Sequence, residues 1–115
     1  MKTDRLTRIN ELIRQQVSEL LQHYTAGLVK GMVTVLAVET SPDLVATTVY
    51  VSNLDESVTP ADTLDAIRPV LSRIQQELNR RLALKVVPRL TFQVDSRARA
   101  ERRIEELLAG DTTGE

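Results

Sequence analysis

The spacing of apolar residues changes period several times along this chain, and the order of those changes restricts the folds open to it. Residues 3–24 repeat apolar side chains every three or four positions, the period of one face of an α-helix. Residues 32–40 and 44–53 are instead rich in valine and threonine, and a Ser-Pro-Asp turn at 41–43 separates them. This pattern predicts a helix followed by an antiparallel hairpin.

The second half of the chain returns to a helical period and then to a strand. A Thr-Pro pair at 59–60 predicts the start of a helix, and an apolar stripe follows over residues 64–82. Pro69 interrupts this stripe, where a proline removes a backbone hydrogen bond and collides with the preceding turn. We therefore predict two helices joined by a kink near residues 68–72. Residues 86–95 alternate apolar and polar side chains and predict a third strand.

The alternating patterns also predict which strand residues face the core. In the third strand the residues predicted to face inwards are Val86, Pro88, Leu90, Phe92 and Val94. In the second strand, the odd-numbered residues of 45–51 share the buried face, and the opposite face, which carries Tyr50, is predicted to face solvent. Pro88 cannot donate a backbone hydrogen bond, so it predicts a strand start or an edge strand.

These segments predict a single α+β domain over residues 1–109. The connection between the second and third strands passes through helices, so their pairing can be parallel. A mixed three-stranded sheet backed by helices follows from this order. Residues 96–109 predict a short, charged C-terminal helix, and residues 110–115, which hold no apolar side chain, are predicted to be a disordered tail.

The composition argues against several classes of function. The chain has no cysteine, which removes disulfides, zinc–thiolate sites and thiol nucleophiles. His23 is the single histidine, and none of the glycines opens a helix after a strand as a phosphate-binding loop requires. No apolar run approaches the roughly 20 residues of a membrane span. We therefore expect a cytoplasmic protein that is not an enzyme, uses no cofactor or metal, and binds neither a membrane nor a small-molecule substrate.

Positive charge is concentrated in one region, although the whole chain has a net charge of −1. Residues 68–103 hold ten basic and three acidic residues, a net of +7, whereas the segments before and after each carry −4. A polyanion responds to the local potential within a Debye length of about 8–10 Å, not to the total charge. Nine of the ten bases are arginine, whose planar guanidinium suits phosphate. Nucleic acid is therefore the first partner predicted.

Five of these bases form the most coherent predicted patch. Arg73, Arg80 and Arg81 lie off the apolar stripe of their helix, and Lys85 and Arg89 continue that surface into the third strand. The remaining arginines of the C-terminal segment either extend the patch or only solvate a loosely held helix; they are Arg97, Arg99, Arg102 and Arg103. Aromatic side chains for base stacking are scarce, so contact with the backbone and shape of RNA is the predicted mode.

Three stretches of the sequence resemble the ribosome-binding factor A family. Residues 84–95 read LKVVPRLTFQVD, are preceded by an Arg pair at 80–81, and are similar to the family's third strand. The hairpin over residues 33–52 and the start of the first helix at residues 5–9 are also similar, so the likeness spans about residues 5–108. The resemblance implies a type II KH-like domain. It further implies a monomeric bacterial assembly factor that binds the free small (30S) ribosomal subunit, assists late 16S rRNA processing and maturation, and matters in cold adaptation.

One position departs from the family pattern. The family typically bends its helix pair at an Ala-x-Gly, whereas this chain has Val70, Leu71 and Ser72 there, so we expect Pro69 to supply the bend. The candidate RNA-binding residues are Arg5, Arg8, Arg73, Arg80, Arg81, Lys85 and Arg89. The alternative function is a protein-interaction module that uses an exposed strand edge without binding RNA directly. The salt dependence of binding distinguishes the two functions. RNA binding through several arginines weakens steeply as the salt concentration rises, whereas binding through a strand edge weakens only slightly.

Overall fold

The computed structural model describes residues 2–95 together with residues 102, 105, 106 and 108, and the elements follow the predicted order. Their bounds are α1 Lys2–Thr25, β1 Val33–Thr40, β2 Ala46–Asn53, α2 Pro60–Ile67, a 3-10 turn Arg68–Val70, α3 Leu71–Arg81 and β3 Arg89–Val94. The predicted tail at 110–115 and most of the predicted C-terminal helix lie outside the described residues, and the four isolated positions are helical and exposed. No helix in the described part of the chain has the length and apolar character needed to cross a membrane.

The three strands form one mixed sheet in the order β1-β2-β3. β1 pairs with β2 antiparallel, and β2 pairs with β3 parallel, which confirms the predicted α+β class and the predicted mixed sheet. β3 is an edge strand that begins immediately after Pro88, as expected for a residue that cannot donate to the ladder. β1 contains an irregularity between Val35 and Ala37, so the other edge of the sheet carries a bulge.

The hydrophobic core lies on one face of this sheet. Ile13 and Val17 of α1 and Ile74 of α3 are fully buried against Val49 and the neighbouring residues of the strands. Burying an aliphatic side chain of this size stabilises the fold by about 1.5–3 kcal/mol relative to leaving it in water. The helical stripes read from the sequence therefore become one layer of helices packed on the sheet.

The turn of the hairpin is fixed by side-chain hydrogen bonds. The Ser41 hydroxyl donates to Asp43 Oδ1 at 2.6 Å, and the Val45 N–H donates to the same oxygen at 3.2 Å. These two bonds hold the pKa of Asp43 below its ordinary value, and the bond from Ser41 has the larger effect. Leu44 follows in the left-handed region with φ 63°. The turn thereby extends to residue 45, β2 begins at Ala46, and Val45 is 61% exposed, which corrects its predicted place on the buried face.

The predicted kink is a short 3-10 turn centred on Pro69. Thr59 caps α2 through a hydrogen bond from the Asp62 N–H to its hydroxyl at 3.1 Å, and Pro60 occupies the first turn, as predicted. α2 ends at Ile67, and α3 restarts at Leu71 after the turn. Both flanking segments keep their apolar faces in the same core. The proline therefore divides the helix with a 3-10 turn without interrupting burial.

Two further predictions about strand faces are wrong. Tyr50 was predicted to face solvent, but it is only 6% exposed, because it lies on the central strand between Ala37 and Gln93 and its hydroxyl donates to Glu39 at 3.2 Å. Val86 was predicted to face inwards but is 70% exposed, because it precedes the strand and lies in the loop after α3. The other inward predictions for the third strand are confirmed: Pro88 and Phe92 are buried, and Leu90 and Val94 are half-buried against the core.

Candidate nucleic-acid interface

The outward side of α3 carries two of the predicted RNA-binding arginines. Ile74 and Leu78 are fully buried, so Arg73 and Arg80 project from the exposed side of the helix. They are seven residues apart and therefore about 10.5 Å apart along the helix axis. Arg80 pairs with Glu77 at 3.2 Å on the surface. An exposed pair of this kind contributes roughly 0–1 kcal/mol, so a phosphate can compete for the guanidinium.

Arg81 points in a different direction and joins α3 to α1. Its Nη1 donates to Gln16 Oε1 at 3.0 Å, and its guanidinium lies 3.9 Å from the carboxylates of both Glu19 and Glu77. Two acids therefore offset its charge. The structure gives Arg81 a packing contact between helices, whereas the sequence suggested a free cation in a patch.

Arg5 and Arg8 lie on the side of α1 that faces α3. Their spacing places them on the same stripe of the helix as Gln16 and Glu19, which contact the Arg81 side chain. Both arginines are exposed. Together with Arg73 and Arg80 of α3 they define a surface that we call the helical basic face: Arg5, Arg8, Arg73 and Arg80.

Lys85 does not lie on a helix. It lines a cleft in the loop after α3, next to the start of α1. The cleft has a volume of about 290 Å³ and is lined by Arg5, Asp43, Leu44, Val45, Leu84, Lys85 and Val86. Three separate parts of the chain build it: the start of α1, the β1–β2 turn and the loop after α3. We call it the hairpin cleft. It brings Arg5 and Lys85 together, which are 80 residues apart in sequence.

Arg89 lies on the opposite side of the sheet from the helices. It pairs with Ala46, and its neighbour Leu90, which pairs with Thr47, packs against the core. Adjacent strand residues point to opposite faces, so Arg89 faces away from the helical layer. The predicted patch is therefore divided between two faces, and Arg89 does not continue the exposed surface of α3.

Sequence reasoning missed Gln75, which fixes the position of β3 against α3. Its Nε2 donates to the Pro88 carbonyl at 3.1 Å, and its Oε1 accepts the Leu90 N–H at 2.8 Å. A glutamine on a helix gives no sequence indication of such a contact. The apolar residues of the hairpin cleft were also missed, because the sequence pattern placed Val45 and Val86 on the buried faces of strands.

The C-terminal arginines add little to this description. Arg97, Arg99 and Arg103 lie outside the described residues, and Arg102 is helical and exposed. Their proposed extension of the basic surface stays a prediction.

The fold and the surface together define a class of protein. A mixed β1-β2-β3 sheet with a bent helix pair and a long first helix on one face is a KH-like α+β domain, and here its helical layer carries exposed arginines. The particular family follows from the sequence match, which covers residues 5–108 and is described as Ribosome-binding factor A. The chain belongs to that family.

Similar proteins agree with this assignment. A Ribosome-binding factor A from Desulfitobacterium hafniense (strain DSM 10664 / DCB-2) is 32% identical over 110 residues, covering 96% of this chain and 88% of the relative. One from Caldicellulosiruptor bescii is 29% identical over 111 residues, covering 94% of this chain and 84% of the relative. The crystal structure of ribosome-binding factor A from Thermus thermophilus matches with a TM-score of 0.65 and 25% identity, covering 77% of this chain and 94% of that one.

Proposed function

We propose that this protein is a ribosome assembly factor that binds the free small (30S) subunit and assists late 16S rRNA processing and maturation, with importance for growth in the cold. It acts in the cytoplasm as a monomer, through residues 1–109, without cofactor or catalysis of its own. Membership of the Ribosome-binding factor A family supports a ribosomal partner. The observation that carries the RNA-binding part is the exposed pair Arg73 and Arg80 on α3.

The helical basic face suits the sugar-phosphate backbone of folded rRNA. Arg73 and Arg80 are about 10.5 Å apart along α3, a distance greater than the spacing of adjacent phosphates on one RNA strand. The two guanidiniums can therefore contact phosphates a few nucleotides apart on one strand, and Arg5 and Arg8 on the adjoining helix can contact a neighbouring segment. Contacts of this kind position the protein and depend strongly on salt.

The strand-edge alternative is less well supported because both edges of the sheet are obstructed. On β3, the Gln75 side chain already occupies the outward Leu90 N–H and Pro88 carbonyl, which an added strand would need. On β1, the bulge between Val35 and Ala37 breaks the regular edge. Strand addition would have to displace one of these features.

The test compares two charge reversals of equal size. Arg73→Glu removes a cation from the helical basic face, whereas Arg14→Glu changes an exposed arginine on α1 that lies off the stripe facing α3. Each protein is co-sedimented with purified 30S subunits at low and high salt. We expect Arg73→Glu to weaken binding and to lower the salt slope by about one, because one phosphate contact is lost. Arg14→Glu should bind like the unmodified chain.

The maturation part is tested in cells. Expression of each variant in a bacterium that lacks its own ribosome-binding factor A should restore growth in the cold and 16S rRNA processing with Arg14→Glu, and less with Arg73→Glu. Equal binding and equal rescue by both folded variants would contradict the proposed surface. Absence of 30S binding by the unmodified chain would contradict the function itself.

A further inference from the structure

The hairpin cleft is an amphipathic cavity that the helical basic face does not explain. Its lining includes two aliphatic side chains that are unusually open to water: Val45 is 61% exposed and Val86 is 70% exposed. Leu44 and Leu84 lie beside them, half-buried, and pack against the core. An apolar floor that remains in solvent and is ringed by charged groups is a typical feature of a binding site.

The rim of the cleft is positively charged. Arg5 and Lys85 stand on two of its three walls, and Asp43 stands on the third. Asp43 is occupied through Oδ1 by the Ser41 hydroxyl and the Val45 N–H, so its carboxylate belongs to the hairpin turn. An anionic group entering the cleft is therefore directed to the side of Arg5 and Lys85, and away from the hairpin.

The cations continue beyond the cleft on both sides. Arg8 lies one helical turn after Arg5 on α1, and Arg89 follows Lys85 by four residues at the start of β3. The backbone of Arg89 is held beside the cleft, because its N–H donates to the carbonyl of Val45 at 3.0 Å, and its side chain extends from there on the side of the sheet away from the helices. A ligand with a single negative charge, such as the C-terminus of a peptide, would not use this line of cations. A polyanion would.

We propose that the hairpin cleft holds one unpaired nucleotide of the RNA. The base packs on the aliphatic side chains of Val45 and Val86, its phosphates contact Arg5 and Lys85, and the adjoining phosphates pass Arg8 and Arg89. The inference rests on the proposed RNA-binding function and adds to it a preference for single-stranded RNA. The volume of about 290 Å³ suits a small ligand such as one nucleotide, since it lies just below the roughly 300 to 1,000 Å³ found for ligand pockets.

This site is separate from the bend between α2 and α3. The bend lies at Arg68–Val70, before the first residue of α3, whereas the cleft residues Leu84, Lys85 and Val86 follow the last residue of α3. The 11 residues of α3 separate the two by about 16 Å. The cleft can therefore bind one nucleotide while the helical basic face binds another part of the same RNA.

The test uses an apolar substitution with a matched control. Val86→Ser shortens the apolar floor without changing charge, and Leu54→Ser makes a comparable change at another exposed residue, which follows the far end of β2, about 25 Å away. The probes are a short fluorescein-labelled single-stranded RNA of mixed sequence and the same RNA annealed to its complement. Thermal unfolding first establishes that both variants are folded.

We expect Val86→Ser to weaken binding of the single strand about three- to tenfold, with an unchanged salt slope, and to leave duplex binding unaltered. Lys85→Gln should lower the salt slope on the single strand by about one. Leu54→Ser should bind both probes like the unmodified chain. Unaltered single-strand binding by Val86→Ser, or an equal loss on both probes, would overturn the inference.

A second measurement covers the case in which free RNA binds too weakly to titrate. A photo-reactive benzophenone amino acid replaces Val86, and the protein is irradiated in its complex with purified 30S subunits. A crosslink that ribonuclease digests supports the inference, whereas a crosslink to a ribosomal protein, or none, overturns it. If the complex forms and depends on Arg73 in either of those cases, the proposed function stands and only the cleft assignment fails.

Discussion

Two glycines in the loop between α1 and β1 offer a matched pair of substitutions. Gly27 and Gly31 have nearly the same backbone conformation, with φ of 78° and 82°, in the left-handed region that disfavours side chains. Their surroundings differ. A methyl group on Gly27 would meet no atom within 4 Å, whereas on Gly31 it would overlap Asn53 Oδ1 and lie 2.6 Å from Asp55 Cβ.

Asn53 cannot easily move aside, because its amide joins three segments. It is 8% exposed, its Nδ2 donates to the Lys30 carbonyl at 2.7 Å, and its Oδ1 accepts the Asp55 N–H at 2.8 Å. A weaker bond at 3.3 Å reaches Thr63 of α2. Displacing the Asn53 side chain therefore breaks these hydrogen bonds, each of which contributes about 1 kcal/mol to stability in a buried setting.

The expected losses of stability follow from these two environments. Gly27→Ala introduces left-handed strain of about 1–2 kcal/mol, and reduced freedom of the unfolded chain offsets part of it, so the net loss is about 1 kcal/mol. Gly31→Ala has the same strain and adds the displacement of Asn53, for a total of about 3–4 kcal/mol. At about 4 °C per kcal/mol for a domain of this size, the midpoint temperatures should fall by roughly 4 °C and 14 °C.

Urea unfolding followed by circular dichroism measures both free energies directly. Asn53→Ala provides a further check, because part of the Gly31→Ala penalty should disappear in the double variant. Similar losses for Gly27→Ala and Gly31→Ala would refute the argument, since they would show that the backbone conformation alone matters and that Asn53 is not held in place.

Three other predictions concern the interface and its supports. Arg81→Ala should lower the free energy of unfolding by about 1 kcal/mol because it loses its hydrogen bond to α1, while Arg73→Ala should not; equal urea midpoints would contradict this. Pro69→Ala should keep the bend and lose less than about 1 kcal/mol, yet weaken 30S co-sedimentation more than stability, and a stabilised variant with normal binding would show that the proline is incidental. Hydrogen bonds from Ser41 and Ser57, respectively, hold the pKa values of Asp43 and Asp55 below the ordinary 3.8, so their stabilising contribution is present above that pH and is lost as pH falls below it. Thermal melts at falling pH should therefore show a smaller decline for the Asp43→Asn variant than for the unmodified chain.

Much of the fold could be predicted because each element is specified locally. The stripe of α1, the Thr59 cap and the Ser-Pro-Asp turn at 41–43 depend on residues within a few positions of one another. The kink at Pro69 is equally local, since it follows from the missing N–H of one residue. Parallel pairing of β2 and β3 was predictable from the helical connection between them.

The failures occurred where burial depends on distant neighbours. Tyr50 alternates with core residues and would be exposed in an isolated hairpin, but the parallel partner β3 places Gln93 beside it. Val86 continues an alternating pattern that the chain does not use, because the strand begins only after Pro88. Both residues follow a period of two in the sequence, and the tertiary contacts decided how deeply each is buried.

The sequence by itself determined the element order, the mixed sheet and the excess of arginine in the second half of the chain. It could not determine how those arginines are distributed, because direction depends on which helix face another element covers. Only the tertiary structure placed Arg81 against α1 and brought Arg5 to Lys85 around the hairpin cleft. The physical reason is that hydrophobic periodicity fixes the inward side of each element, whereas the meeting of charged side chains depends on the packing of elements far apart in sequence.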